Sequence, residues 1–142
     1  MKFLTAILLL VALLISVVSS AQKKGDSKIT ITLNDTSGIY EKVRLALTKS
    51  DFIIKDLNQR DTITTFPRVL KSMDGSAVAL VYIEGVKIIL SGFYSTRKQD
   101  FIGYTATNKD LKPIIYYNQS GKLWPLLMKV ANEIGGDKEY SK

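Results

Sequence analysis

The sequence predicts an α+β domain: one antiparallel sheet of about five strands with two helices packed on one of its faces. Three observations predict it. Apolar residues alternate with threonines from Ile29 to Leu33, the period of a half-buried strand. Four strand-like runs joined by short polar turns follow between residues 52 and 94. Two stretches, Ile39 to Leu47 and Leu123 to Ile134, repeat apolar residues at the spacing of a single helix face. The expected order is strand, helix, four strands, an irregular segment and a closing helix, in one domain spanning residues 28–135.

The chain opens with the features of an export signal over residues 1–21. Lys2 supplies the positive start and Phe3 to Val18 is uncharged and leucine-rich. Ser19-Ser20-Ala21 places small residues where a signal peptidase reads, so cleavage is expected before Gln22. The apolar run is shorter than the ~20 residues a spanning helix needs. No cysteine follows it to take a lipid. The expectation is an exported protein, periplasmic or extracellular, with no stable membrane anchor after signal cleavage.

Gln22 to Ser27 is polar and reads as a flexible lead-in. Ile29, Ile31 and Leu33 form the first strand. Asn34-Asp35-Thr36-Ser37 interrupts it with residues suited to capping a helix. Ile39, Val43, Ala46 and Leu47 then recur at i, i+4, i+7 and i+8, with Glu41, Lys42, Arg44 and Lys49 off the stripe, and the helix should stop near Ser50-Asp51. Phe52 to Leu57 and Thr62 to Leu70 flank the turn Asn58 to Asp61 and read as a hairpin. Pro67 cannot donate to a ladder, so that strand is expected at an edge or bulged there. Ala77 to Ile83 and Val86 to Tyr94 make a second hairpin around Glu84-Gly85. Four successive strands with tight turns favour a meander over parallel crossovers.

Beyond Tyr94, Arg97 to Asp100 reads as a loop, Phe101 to Tyr104 as a short strand and Leu111 to Tyr117 as an extended edge segment. Leu123, Trp124, Leu127, Ala131 and Ile134 mark the last helix, with Pro125 in its first turn and Gly135-Gly136 ending it. Residues 136–142 read as a disordered tail.

Composition excludes much chemistry. Loss of the first 21 of 142 residues leaves about 120, enough for one domain with a real core. The formal net charge is +7, of which Lys2 would leave with the signal, but the basic residues cluster no more densely than pairs such as Lys23-Lys24. With no histidine there is no imidazole base and no His-ligated zinc; with no cysteine there is no thiolate, iron–sulfur site or disulfide. An exported domain without disulfides must be held by packing, which favours a bacterial periplasm. The acids mostly sit beside bases, as at Lys55-Asp56 and Arg60-Asp61, and nothing in their spacing requires a pair converging in a cleft. No cofactor and no metal are expected.

The hairpins sort the sheet faces. If Ile83 opposes Val86, then Ala77, Ala79 and Val81 share a face with Ile88, Leu90 and Gly92, whose small members leave room for helices. Phe52, Ile54, Ile63 and Val69 are assigned to the same covered side, beneath Trp124, Leu127, Ala131, Val43 and Leu47. The opposite face then carries Lys55, Thr64, Phe66, Arg68, Tyr82, Lys87, Ile89 and Phe93. Of these, Lys55, Phe66, Arg68, Tyr82, Lys87 and Phe93 are the candidate partner-binding residues, the aromatics for area and the cations for steering. A plain covering of the sheet's back is the competing reading. The tripeptides Asn34-Asp35-Thr36 and Asn118-Gln119-Ser120 match the N-glycosylation pattern but precede helices, where capping explains them. Tyr94, Phe101, Tyr104, Tyr116 and Tyr117 are read as clamping a long loop to the body.

Helices on one face of a curved antiparallel sheet resemble the TATA-binding-protein-like, or helix-grip, fold. More narrowly, the chain resembles small exported bacterial domains of unknown function with that fold, and the repeated domains of lipoprotein C of the outer-membrane assembly complex. The resemblance covers residues 28–135. It rests on Ile39 to Leu47 followed by Phe52-Ile53-Ile54-Lys55-Asp56, and on the Trp124-containing closing helix. It implies a non-enzymatic envelope protein, though the lipoprotein members carry an anchoring cysteine that is absent here. Nucleic-acid binding does not carry over, because an exported protein does not normally meet DNA.

The expected function is therefore a binding or scaffold module for another envelope protein or a cell-wall polymer. The alternatives are a secreted enzyme inhibitor presenting the Asn58–Asp61 turn or the Arg97–Asp100 loop, and a carboxylate or Tyr/Lys enzyme.

Overall fold

The computed structural model describes residues 21–55, 61–71, 75–96, 111–117 and 121–142. The export signal apart from Ala21, most of the Asn58–Asp61 turn, the Arg97–Asp100 loop, Phe101 to Tyr104 and Asn118 to Ser120 lie outside the described residues. The elements are β1 (Lys28–Thr32), α1 (Ile39–Lys49), β2 (Thr62–Thr64), β3 (Arg68–Val69), β4 (Ser76–Glu84), β5 (Lys87–Ser95), β6 (Lys112–Pro113), α2 (Trp124–Ile134) and β7 (Asp137–Ser141). Among the described residues this is an α+β chain with two helices and an open antiparallel sheet of seven strands, where about five were expected. The main path runs β2-β4-β5-β1-β7; β3 continues the row of β2 along β4, and β6 pairs with β5 beyond the end of β1.

The two helices form where the apolar stripes lie. In α1 the buried residues are Ile39, Val43, Ala46 and Leu47. Its start differs from expectation: Gly38 is the N-cap, in a left-handed conformation, and no side chain caps the helix. Asp35 instead accepts the amide of Ser37 at 2.7 Å and closes a turn just ahead of it. The helix ends as expected, with the Ser50 amide donating to Ala46 and Leu47 and the Phe52 amide returning to Leu47 at 3.0 Å. In α2 the buried residues are Trp124, Leu127, Val130, Ala131 and Ile134, and Pro125 occupies the first turn, where its missing N–H leaves no gap.

Both helices cover one sheet face. A Cβ on Gly92 of β5 would stand 2.9 Å from Leu127 of α2 and from Ile114, so glycine lets the helix settle onto the strand. Ile29, Ile31, Val81, Ile88, Leu90, Ala77 and Ala79 fill the layer below, in one cluster with the helix stripes. The helices also touch each other through Lys49 and Glu133, 3.1 Å apart.

The β4–β5 hairpin pairs Ile83 with Ile88 and turns through Gly85-Val86, one residue later than expected. The shift in register is even, so the assignment of faces survives it.

The next strand is different. Ile63 pairs with Val81 and Thr65 bonds Ala79, but Arg68 pairs with Ala77, so three steps of one chain span two of its partner. One extra residue is lodged at Phe66-Pro67, a bulge where Pro67 has no N–H to offer. It splits the expected Thr62–Leu70 strand into β2 and β3 and exchanges the faces beyond it. Val69, expected in the core, is 59% exposed, and Leu70 is buried in its place. Phe52 to Leu57 is not a strand over its described part, where Ile54 makes a single bridge to Thr65.

Both ends of the domain are ordered, contrary to expectation. The tail forms β7 along β1, with Tyr140 opposite Ile29. The lead-in is held by bonds from Gly25 to the Tyr116 carbonyl, from Tyr116 to the Asp26 carbonyl, and from Ser27 to the Ser141 carbonyl, all 2.7–2.8 Å.

Candidate binding face

The side of the sheet turned away from the helices is built by the alternate residues of β4 and β5. Val78 lies opposite Phe93, Leu80 opposite Ser91 and Tyr82 opposite Ile89. Thr62 and Thr64 of β2 continue the row past β4. Near its centre is a depression of about 440 Å³ lined by Thr64, Val78, Leu80, Phe93 and Leu111. Its described lining is apolar apart from one threonine hydroxyl.

The expected site residues divide. Tyr82 and Phe93 lie on this face, Tyr82 being 44% exposed. Phe66 is 47% exposed beside the bulge, and its amide donates to Ile53 at 2.7 Å. Lys55 is exposed at the margin, its amide bonded to Thr64 at 2.8 Å. Lys87 sits exposed at the hairpin tip, at the end of this face, with Glu84 as its cross-strand neighbour.

Arg68 is not on this face. The bulge turns it to the helix side, where Nη1 donates to the Ser50 carbonyl at 2.8 Å and Nη2 approaches Asp51 at 3.3 Å. Its guanidinium carbon stands 5.6 Å from the Phe52 ring centroid. Its role is to tie the end of α1 to β3. The cation-and-aromatic mixture expected from the sequence thus becomes an apolar centre with lysines at the rim.

Sequence reasoning missed Val78, Leu80 and Leu111, which line the depression, together with Ile53 and Val69, both well exposed. A signal for two of them existed. β4 reads Ser-Ala-Val-Ala-Leu-Val-Tyr-Ile-Glu, apolar at both parities, the pattern of a strand covered on both sides.

The expected tyrosine clamp is present in part. Tyr116 packs edge-on against Trp124 at 5.9 Å and joins the lead-in through its backbone. Tyr94 is packed against the core, while Tyr117 is 57% exposed. Phe101 and Tyr104 fall outside the described residues.

Among the described residues no group of three or more Asp or Glu side chains is placed to hold a metal ion. No helix described is long and apolar enough to cross a membrane. Comparison with protein-family models, curated proteins and solved structures finds no match to the chain.

Proposed function

We propose that the protein is a non-enzymatic exported module of the cell envelope that holds a partner on the uncovered face of its sheet. The observation that carries this reading is the continuous apolar surface from Val78 and Leu80 across to Phe93, which no helix among the described residues covers. A single face of that kind, on a sheet otherwise packed from one side, suits an interaction surface. Of the two partner classes expected from the sequence, another protein fits better than a wall polymer. A hydroxyl-rich polymer needs polar groups at the centre of its site, and the described centre offers Thr64 and Ser91 alone. The order of elements and the helices on one face support a helix-grip arrangement, and the reading of residues 1–21 as a signal supports export.

The test is affinity capture from the organism's own envelope fraction with the wild type and with Leu80→Glu, Phe93→Ser and Arg68→Lys. The first two should lose a captured protein that the third retains, with all variants giving native circular dichroism. Identical captured proteins for Leu80→Glu and wild type would remove the uncovered face from the function.

A further inference from the structure

The lead-in end of the sheet carries a surface of a different character from the binding face. Lys23, Lys24 and Lys28 lie along the lead-in and the start of β1, all exposed. Lys142, at the end of the chain, is brought beside them: its side chain would lie 3.3 Å from a Cβ on Gly25. Lys24 Nζ stands 4.4 Å from the centroid of the Tyr117 ring. Tyr117 and Ile115 are exposed on the segment whose Tyr116 is bonded to Gly25 and Asp26.

One acid lies within this stretch: Asp26 is 5% exposed and accepts the amide of Lys23 at 2.6 Å, and its charge offsets one of the four lysines, leaving the surface positive. On β7 the acids stand further along, Glu139 opposite Thr30 and Asp137 opposite Thr32. Among the described residues no ion pair engages these four lysines.

We infer that Lys23, Lys24, Lys28 and Lys142, with Ile115 and Tyr117 between them, form a docking surface for the anionic headgroups of a lipid bilayer. Charge complementarity is the first argument: lysine ammonium groups beside a negatively charged leaflet are each attracted at short range. The second is the pairing of cations with an exposed tyrosine and isoleucine, side chains suited to the boundary between headgroups and acyl chains. The third is position in the chain. Lys23 follows the last residue of the apolar Phe3–Val18 run by five residues, at most about 18 Å of extended chain. Before signal cleavage, that reach keeps the lysines close to the leaflet the run enters during export. The bonds that anchor the lead-in keep the lysines fixed on the folded domain.

The experiment is sedimentation of the chain from Gln22 to Lys142, which contains every core residue, with two kinds of vesicle. One is pure phosphatidylcholine; the other includes about a third phosphatidylglycerol. The expected result is binding to the anionic vesicles alone, weakened by added salt. Lys→Gln at each of the four positions should lower the partition coefficient about fivefold. Ile115→Ser and Tyr117→Ser should weaken it further, with a cooperative thermal transition retained throughout. Equal binding to both vesicles, or anionic binding that the four Lys→Gln variants leave unchanged, would overturn the assignment. So would anionic binding indifferent to Ile115→Ser and Tyr117→Ser and fully competed by soluble poly(glycerol phosphate), which would make the surface a polyanion site. Lys28 lies opposite Ser91 at the border of the partner face, so the control is a neutral change far from it: Phe66→Ala, beside the bulge, should sediment like wild type, which separates this surface from the partner face.

Discussion

The amide of Ala79 donates to the hydroxyl of Thr65 across 2.9 Å, where the sheet takes in its extra residue. Thr65 also gives its own amide to the Ala79 carbonyl at 3.2 Å, so both groups of Ala79 are satisfied by one residue. Its side chain substitutes for the backbone acceptor that the bulge displaces, and Thr65 is itself buried.

Thr65→Val should therefore lower stability by about 1–3 kcal/mol, because it leaves a buried N–H without an acceptor. Thr65→Ser should retain most of that bond. Urea unfolding followed by circular dichroism distinguishes them, and equal midpoints for Val and wild type would show that the hydroxyl is dispensable.

Arg68→Ala and Phe66→Ala should behave oppositely although they are two residues apart. Arg68 secures the Ser50 carbonyl and covers Phe52, so its loss should cost about 1–2 kcal/mol and leave partner capture intact. Its approach to the exposed Asp51 contributes little to that figure. Phe66 is half exposed, so Phe66→Ala should change the unfolding midpoint only slightly while weakening capture. Reversed effects would place Arg68, not Phe66, on the binding surface.

Trp124 is the one tryptophan in the chain and is 3% exposed, wedged between Tyr116 and Tyr140 at 5.9 and 6.3 Å. Native emission should be blue-shifted and move red on unfolding. Trp124→Ala should cost on the order of 3–5 kcal/mol, a large share of a small domain's stability. Trp124→Phe should cost less than its lost area suggests, since Nε1 is buried without a bonding partner among the described residues.

Deletion of residues 137–142 should lower the melting temperature by at least about 5 °C. It strips β7 from β1, removes Tyr140 from Trp124 and deprives Ser27 of its acceptor. A free tail would leave the transition where it was, and that outcome would show the pairing to be inconsequential.

Much of the architecture was legible because periodicity reports burial directly. Ile29/Ile31, Val43/Leu47 and Trp124/Leu127 all lie in the core where their spacing placed them. What sequence could not show was a change of parity. Alternation counts residues, and one additional residue at Phe66-Pro67 moved Arg68 to the helices and Val69 to solvent. Pro67 signalled an irregularity there without saying whether it broke the ladder or inserted into it. β7 was hidden for another reason: Asp-Lys-Glu-Tyr-Ser has almost no apolar content, and the strand is held by backbone pairing to β1 and by the Tyr140 ring against Trp124. The candidate face was half visible, its aromatics found and its aliphatic centre overlooked.

β7 is also the outermost strand on its side of the sheet among the described residues, with no described strand along its far margin. Such a margin invites a second molecule to add itself and lengthen the sheet. A two-fold junction centred on Asp137, Lys138 or Glu139 would set identical charges face to face, which disfavours the match. The five residues that complete the fold therefore also discourage two copies from joining edge to edge.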